Sequence, residues 1–257
     1  MGLLQGFTEF LPVSSSGHLV IFQQLFRISQ PGVTLEVLVH LGTMFSVIIV
    51  LWKDIAALVR GLADSNREQK RLFLLLLAGT VVTGFVGIVF GPYLKDLFQN
   101  PVITGFMLLL TGFIILAVSR LSLYPGDKAI TSLTLWDGLF VGLCQGIAVI
   151  PGISRSGATI FASLFRGMPR RLAIKFAFLL SLPAIGGAAL IEAWDLIRVG
   201  DIPSYFSAYV LAAIVAFISG IFAIKVFIKL LNDGKFHYFA YYCWFAGVFT
   251  VLYFLIF

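Results

Sequence analysis

PVSSSGH, the stretch from Pro12 to His18, interrupts the apolar first segment of this chain. Its proline, serines and glycine stop a helix, and the apolar segment on either side is shorter than the ~20 residues that cross a bilayer. PGISRSG, residues 151–157, is a second break of the same kind. Irregular backbone at membrane depth persists only where it is buried in protein or lines a wet cavity. The two breaks therefore predict re-entrant helical hairpins over residues 1–27 and 133–167.

The composition is that of an integral membrane protein. Of the 257 residues, 60% are hydrophobic and only 12% are charged, whereas a soluble domain carries about 25% charged residues. The net charge of +6 does not indicate a nucleic-acid partner, because the basic residues are not interleaved with aromatic residues in a groove-like pattern. Cys144 and Cys243 lack metal-type spacing and are expected to be free thiols. The predicted spans are 33–52, 71–91, 101–121, 172–196, 204–231 and 238–257, and Pro183 predicts a kink in the fourth.

The two breaks are copies of each other. Gln5-Gly6 and Gln145-Gly146 lie 140 positions apart, and so do Ser14 and Ser154. The same offset superimposes the first three spans on the last three. Each copy has one hairpin and three crossings, and an odd number of crossings sends the second copy in from the opposite face. The sequence therefore predicts a single all-α membrane domain, residues 1–257, with an inverted-topology repeat of residues 1–121 and 133–257, six transmembrane helices and two re-entrant hairpins.

The distribution of basic residues gives the orientation. Fourteen of the 18 Lys and Arg residues fall in the segments 53–71, 120–132, 166–175 and 225–237, and only Arg27, Lys95 and Arg198 fall on the other side. Basic residues collect in cytoplasmic loops. Both termini and the first hairpin are therefore expected on the outer side of the membrane. The first apolar run contains Gln5 and Glu9, which is not typical of a cleavable signal peptide.

Arg155 and Glu9 are the charges that need an explanation at membrane depth. A guanidinium there stays ionised and costs at least ~2.5 kcal/mol, so it requires an anion. Glu9 is the anion within the chain, which allows a purely structural ion pair at the repeat interface. The functional hypothesis has Arg155 grip a phosphate group, with hydroxyls of Ser154, Ser156 and Thr159 beside it. Glu9 is then a base, a cation ligand or the partner of Arg155.

The serines and His18 are the candidate reacting groups. Ser15 occupies the position that the repeat sets against Arg155, which favours it among the three serines. His18 is a candidate base, acid or nucleophile for phosphoryl transfer. Gln5 and Glu9 share a helix face at spacing i, i+4. Glu36 and His40 share another face, for which an interfacial or structural role is expected, and His237 with Tyr238, Tyr241, Tyr242 and Trp244 is typical of an interfacial belt.

QGFTEFLPVSSSGH, residues 5–18, together with PGISRSGAT, residues 151–159, resembles the bacterial undecaprenyl-diphosphate phosphatases, the bacitracin-resistance family. The likeness covers essentially the whole chain. It implies removal of the terminal phosphate of undecaprenyl diphosphate, which recycles the carrier lipid of peptidoglycan synthesis in the bacterial cytoplasmic membrane and supports cell-wall biogenesis and cell shape. It also implies a divalent cation, Mg²⁺ or Ca²⁺, near Glu9, a site open to the outer face, and a polyprenyl diphosphate partner in the bilayer. Some members carry Glu at the position of Gln5. Carried onto this chain, the family motifs assign catalysis to Glu9, Ser15, His18 and Arg155, and substrate binding to Gln5, Ser14, Ser16, Ser154, Ser156 and Thr159.

Two other functions share parts of this pattern. Inverted repeats with broken helices also occur in transporters, so a prenyl-phosphate lipid transporter or flippase is the main alternative. The phosphatidic-acid type of membrane phosphatase has PSGH and SR elements, but its flanking Lys-x6-Arg-Pro and His-x3-Asp motifs are missing from this chain. The sequence leaves open whether Ser15, His18 or water attacks the phosphorus, and it leaves open a homodimer.

Overall fold

The computed structural model describes residues 1–26, 32–124, 126–199, 206–233 and 235–256. Within these ranges every regular element is helical, which confirms the all-helical prediction. The predicted boundaries at residues 27, 204 and 257 and the charge of Arg27 lie outside the described residues. The helices are α1 (Gly2–Phe10), α2 (Ser15–Leu25), α3 (Gly32–Val50), α4 (Trp52–Ala63), α5 (Arg67–Leu94), α6 (Pro101–Leu121), α7 (Leu135–Ile147), α8 (Arg155–Phe165), α9 (Arg170–Val199), α10 (Phe206–Asn232) and α11 (His237–Ile256), with 3-10 turns at Lys95–Gln99 and Ile130–Ser132.

Among the described helices, α5, α6, α9, α10 and α11 are each long and apolar enough to cross a membrane. A sixth candidate is α3 with α4, which meet at Leu51 with a bend of 73°. Residues 53–71 were predicted to be a cytoplasmic segment, and a helix was not predicted there. The amphipathic segment WKDIAALVRGLA forms a helix there because Ile55 and Leu58 pack against the core on one side. Pro183 lies inside α9, which continues through it as one helix, and the kink expected there stays a prediction.

The two sequence breaks produce two pairs of short helices. α1 and α2 have 9 and 11 residues, and α7 and α8 have 13 and 11 residues. None of the four has the ~20 residues that a crossing needs. α1 packs against α10 and α3, while α7 packs against α5 and α8.

Small residues allow these helices to approach closely. A Cβ added at Gly142 of α7 would lie 2.3 Å from the carbonyl oxygen of Gly79 on α5, and one added at Gly2 of α1 would lie 2.3 Å from that of Ala212 on α10. Close backbone approach through small residues is the usual basis of helix association in membranes. It holds both short leading helices against a long span.

The apolar core contains a row of phenylalanine rings that joins α1 to the later helices. Phe10 packs edge to face on Phe178 of α9, with 5.7 Å between the ring centroids. The centroid of Phe178 lies 5.8 Å from that of Phe227 on α10, which in turn lies 5.6 Å from that of Phe236. Phe10, Phe178, Phe227 and Phe236 are all buried. Because Phe10 follows Glu9 directly, this row fixes the end of α1 at which the candidate site lies.

A buried carboxylate ties the second hairpin together at its charged end. Asp137 is fully buried and accepts hydrogen bonds from the Thr134 backbone N–H at 2.6 Å and from Arg166 Nε at 2.5 Å. Lys128 Nζ lies 3.7 Å from the same carboxylate. Asp137 lies in the first turn of α7 and Arg166 directly follows α8, so one side chain joins the two ends of the hairpin.

Asp137→Ala is expected to lower the free energy of unfolding by about 2–3 kcal/mol, because it leaves Arg166 and the Thr134 N–H without their acceptor. Asp54→Ala is the matched control. It breaks the 2.7 Å ion pair between Lys175 and Asp54, whose carboxylate is 37% exposed, and should change the same quantity by less than about 1 kcal/mol. Unfolding of both variants in detergent measures the difference. Equal losses would contradict a special role for the buried carboxylate.

Candidate active site

The first break is shaped by Pro12 and capped by Ser14. The residue before a proline is pushed out of the helical region, and Leu11 is extended, at φ −66° and ψ 139°. α2 begins after Ser14, whose hydroxyl accepts a hydrogen bond from the Gly17 N–H at 3.2 Å. Ser14 itself has φ 68°, a left-handed conformation that is uncommon for a residue with a Cβ. Ser15 follows it as the first residue of α2.

The second break repeats the serine cap, but the residue in its left-handed conformation is a glycine. Ser154 caps α8 and accepts from the Gly157 N–H at 3.1 Å. Here the left-handed conformation falls on Gly152, at φ 96°, where it carries no side-chain penalty. Thr111 of α6 fixes this break by donating to the Gly152 carbonyl at 2.7 Å and accepting from the Ser154 N–H at 3.1 Å.

The two breaks touch each other although they lie 140 residues apart in the sequence. A Cβ added at Gly17 would lie 2.9 Å from the Cα atom of Gly152. The backbones therefore meet without an intervening side chain. This contact brings the start of α2 and the start of α8 into one polar site.

Glu9 is the centre of this site. Its Oε2 accepts hydrogen bonds from the Ser15 hydroxyl at 2.6 Å and from Gln5 Nε2 at 3.0 Å. Its Oε1 lies 3.7 Å from Arg155 Nη2, an ion pair without a direct hydrogen bond. His40 of α3 approaches from the other side, with Nε2 3.6 Å from Oε2. Ser15 and Gln5 thus donate to this carboxylate, and Arg155 places a positive charge beside it.

A small cavity adjoins the pair of Glu9 and Arg155. It has a volume of about 10 Å³, and its polar lining also includes Ser156, Thr159 and Ser181. A volume of this size holds one oxygen-sized group. Because Arg155 is the first residue of α8, the positive end of that helix dipole points to the same place. The region therefore suits an oxygen atom of an anion.

The remaining predicted hydroxyls have helix-internal partners. Ser14 and Ser16 have their hydroxyl oxygens 3.4 Å apart, and Ser154 and Ser156 have theirs 3.2 Å apart. Thr159 donates to the Arg155 carbonyl at 2.8 Å. Ser14 and Ser154 thus hold the helix starts.

His18 is oriented by contacts on both ring nitrogens. Nδ1 lies 2.8 Å from the Ser14 carbonyl, and Nε2 lies 2.6 Å from the Tyr242 hydroxyl. These hydrogen bonds lead to Ser14 and to α11, whereas the hydroxyl of Ser15 is bonded to Glu9. In this structure the pair with the geometry of a nucleophile and its base is Ser15 with Glu9.

Comparison with known proteins shows the family of this chain. The sequence model of the family described as "Bacitracin resistance protein BacA" matches residues 1–249. The chain belongs to the BacA family. It is 42% identical over 252 residues to the undecaprenyl-diphosphatase of Halothermothrix orenii, covering 98% of this chain and 95% of that protein. It is 40% identical over 267 residues to the undecaprenyl-diphosphatase of Desulforapulum autotrophicum, with the same coverage, and 36% identical over 269 residues to that of Alkaliphilus metalliredigens, covering 100% and 97%. The resemblance seen in the sequence is confirmed.

The donor set of this BacA-family chain fits a cation held by oxygen ligands and substrate. In the described parts of the chain, no three His, Cys, Asp or Glu residues cluster as a metal site. Glu9 offers one carboxylate, and the buried Gln5 Oε1 has no hydrogen-bond partner among the described residues. A hard cation such as Mg²⁺ accepts one or two carboxylates and completes its shell with waters and substrate phosphates.

Two residues that contact this site were not predicted from the sequence to do so. His40 was assigned an interfacial or structural role, yet it lies beside Glu9. Tyr242 was assigned to an aromatic belt, yet its hydroxyl bonds to His18. For His40 a signal existed, because an ionisable residue inside a predicted span is a functional candidate by default. For Tyr242 no local signal distinguished it from Tyr238 or Tyr241.

Proposed function

We propose that this protein is a phosphatase that hydrolyses undecaprenyl diphosphate to undecaprenyl phosphate and inorganic phosphate. The observation that carries the proposal is the 2.6 Å hydrogen bond from the Ser15 hydroxyl to Glu9, beside Arg155, in a chain of the BacA family. The relatives named undecaprenyl-diphosphatase match over nearly their whole length. The product would return to peptidoglycan synthesis, and its recycling would give resistance to bacitracin.

The geometry supports a two-step mechanism with Ser15 as the nucleophile. Ser15 Oγ attacks the terminal phosphorus, Glu9 Oε2 accepts the hydroxyl proton, and the bond between phosphorus and the bridging oxygen breaks to release undecaprenyl phosphate. Glu9 then passes this proton to the departing undecaprenyl phosphate, which restores the carboxylate. A water attacks the phosphoserine, and Glu9 accepts one of its protons and transfers it to Ser15 Oγ as phosphate leaves. The first proton transfer uses a carboxylate oxygen that already lies 2.6 Å from Ser15 Oγ.

Arg155 would supply charge stabilisation. Phosphoryl transfer depends mainly on positioning and on neutralising charge at the non-bridging oxygens. The Arg155 guanidinium lies at the start of α8, and its side chain is 29% exposed, which leaves donors for a ligand. We assign Arg155 to the terminal phosphate, with the hydroxyls of Ser156 and Thr159 lining the same cavity.

A divalent cation, Mg²⁺ or Ca²⁺, would be held by Glu9 and Gln5 Oε1 together with substrate oxygens. It would neutralise part of the diphosphate charge. Gln5 orients the carboxylate through its Nε2, and its Oε1, which has no hydrogen-bond partner within the described ranges, would be the second ligand.

We also propose that the molecule is an inverted-topology repeat of residues 1–121 and 133–257, with six crossings and re-entrant hairpins at 1–27 and 133–167. The support is reciprocal packing: α1 of the first copy lies on α10 of the second, and α7 of the second lies on α5 of the first. With the basic segments in the cytoplasm, both termini and the mouth of the site would face outward from the cytoplasmic membrane. A homodimer stays open.

Phosphate release from the purified protein in detergent tests the function. Prenyl diphosphates of several chain lengths, each with and without a chelator, are expected to give phosphate and the monophosphate lipid, with the chelator lowering the rate. Detergent abolishes transport, so release of phosphate separates hydrolysis from the flippase alternative. A protein that binds these lipids without releasing phosphate would contradict the proposal.

A further inference from the structure

The imidazole of His18 is held between the first break and α11. The Ser14 carbonyl lies 2.8 Å from Nδ1, and the Tyr242 hydroxyl lies 2.6 Å from Nε2. The His18 and Tyr242 rings stack with 5.6 Å between their centroids and 8° between their planes. His18 is buried, whereas Tyr242 is exposed over 44% of its surface. A tyrosine on the last helix therefore reaches the polar site.

The partners fix the tautomer of His18. A carbonyl oxygen only accepts hydrogen bonds, so Nδ1 carries the hydrogen that points to Ser14. The neutral ring then has its lone pair on Nε2, and the Tyr242 hydroxyl donates to it. The Tyr242 hydroxyl therefore donates to His18 Nε2, and His18 Nδ1–H donates to the Ser14 carbonyl.

Ser14 is the residue that gains from this support. Its φ of 68° places a residue with a Cβ in the left-handed region, where such a backbone is strained and persists only when its surroundings hold it. The next residue is Ser15, whose hydroxyl must keep its 2.6 Å contact with Glu9. A shift in the Ser14 peptide would move Ser15 directly.

The neighbouring residue adds a second contact between α11 and the break. Cys243 Sγ lies 3.7 Å from the Pro12 carbonyl. Tyr241, by contrast, turns to His237 and Trp244, with ring centroids 5.9 and 6.0 Å away. Two adjacent residues of α11 thus face the break, while the one before them faces away.

We propose that Tyr242 is a positioning residue for the phosphatase reaction, which acts through His18 to hold Ser14 in its left-handed conformation and Ser15 against Glu9. The proposal rests on the function proposed above. Tyr242 does not touch the reacting atoms. Its hydroxyl keeps the imidazole in one tautomer and tilt, and the imidazole N–H holds the Ser14 carbonyl.

Tyr242→Phe is expected to lower kcat by about 10- to 100-fold while KM changes by less than about threefold, because the ring remains and only the orienting hydrogen bond is lost. Tyr241→Phe is the matched control and should stay within about twofold of the unchanged protein. Phosphate release in detergent, normalised to folded protein, measures both. A Tyr242→Phe protein within twofold of the unchanged kcat would overturn the proposal.

A change at Ser14 separates positioning from general packing. Glycine adopts positive φ without strain and is tolerated at a helix start, so in a Ser14→Gly background Tyr242→Phe should lower kcat by less than about threefold relative to Ser14→Gly alone. Ser14→Ala removes the same hydroxyl but keeps the Cβ, so in that background Tyr242→Phe should retain its full effect. Equal losses in the two backgrounds would count against the proposal.

A spectroscopic measurement keeps this inference separate from the proposed function. The chain has three histidines, so protein labelled with ¹⁵N-histidine gives three imidazoles. Tyr242→Phe should move the signals of one of them, the one that disappears in His18→Asn, and Tyr241→Phe should not move it. If the unchanged protein released no phosphate, the proposed function would fail while this result still decided the hydrogen bond. Unmoved His18 signals in Tyr242→Phe would refute the contact itself.

Discussion

Glu9→Gln is expected to lower kcat by about 10³-fold with little change in KM. The amide keeps the size of the side chain and can still accept the Ser15 hydrogen bond, but it cannot take the proton of the attacking hydroxyl. General-base catalysis is worth about 10²- to 10⁴-fold, and Glu9 is bonded at once to Ser15 and to Gln5. Steady-state phosphate release from a prenyl diphosphate in detergent measures the change.

Glu36→Gln is the matched control for that result. Glu36 is also a membrane carboxylate, on α3, but its side chain accepts from Gln23 at 3.0 Å. The same loss of charge there should change kcat by less than about threefold. A Glu9→Gln protein that kept the unchanged rate would exclude Glu9 as the base and leave it as a structural partner of Arg155.

Arg155→Ala is expected to lower kcat/KM by about 10³-fold or more, because one arginine that neutralises a transferring phosphoryl group contributes roughly 10³- to 10⁵-fold. Arg155→Lys should recover only part of this, since lysine keeps the charge but loses the two-pronged contact with phosphate oxygens. Phosphate release across a range of lipid concentrations separates binding from catalysis.

Arg166→Lys is the matched control, because it removes a guanidinium at the opposite end of α8 from Arg155. Arg166 follows α8 and bonds to Asp137, away from Glu9. Its kinetic constants should stay within about twofold of the unchanged protein. If Arg155→Lys were as active as Arg166→Lys, then Arg155 would be a generic membrane charge and not a phosphate ligand.

The central contact of the site was predictable from the sequence. The 140-residue offset paired PVSSSGH with PGISRSG, and the structure brings Gly17 against Gly152. Glu9 and Arg155 were expected to meet because each is a charge that an apolar segment cannot carry alone. A polar residue in an apolar segment is a strong indication of a site, since its burial requires a hydrogen-bond partner or an opposite charge.

The contacts of His40 and Tyr242 were not predictable by the same reasoning. They depend on the rotation of α3 and α11 about their axes, and uniformly apolar helices carry little periodic signal for rotation. α4 does not meet the requirement of about 20 apolar residues for a crossing. It has only 12 residues, with apolar side chains on one side, so a count of crossings did not predict it. The base paired with Ser15 also required coordinates, because Glu9 and His18 were both near it in sequence.

The packing of α1 on α10 has a consequence for biogenesis. The segment that carries Gln5 and Glu9 is synthesised long before the helix against which it packs, which begins at residue 206. At ordinary translation speeds of about 5–20 residues per second, that interval is roughly 10–40 s. During this time the nascent chain holds a glutamate in or near lipid without α10, and for most of it without Arg155. Assembly of the site is therefore a late event in synthesis, and the first helix depends on the translocon or another temporary neighbour until the penultimate helix arrives.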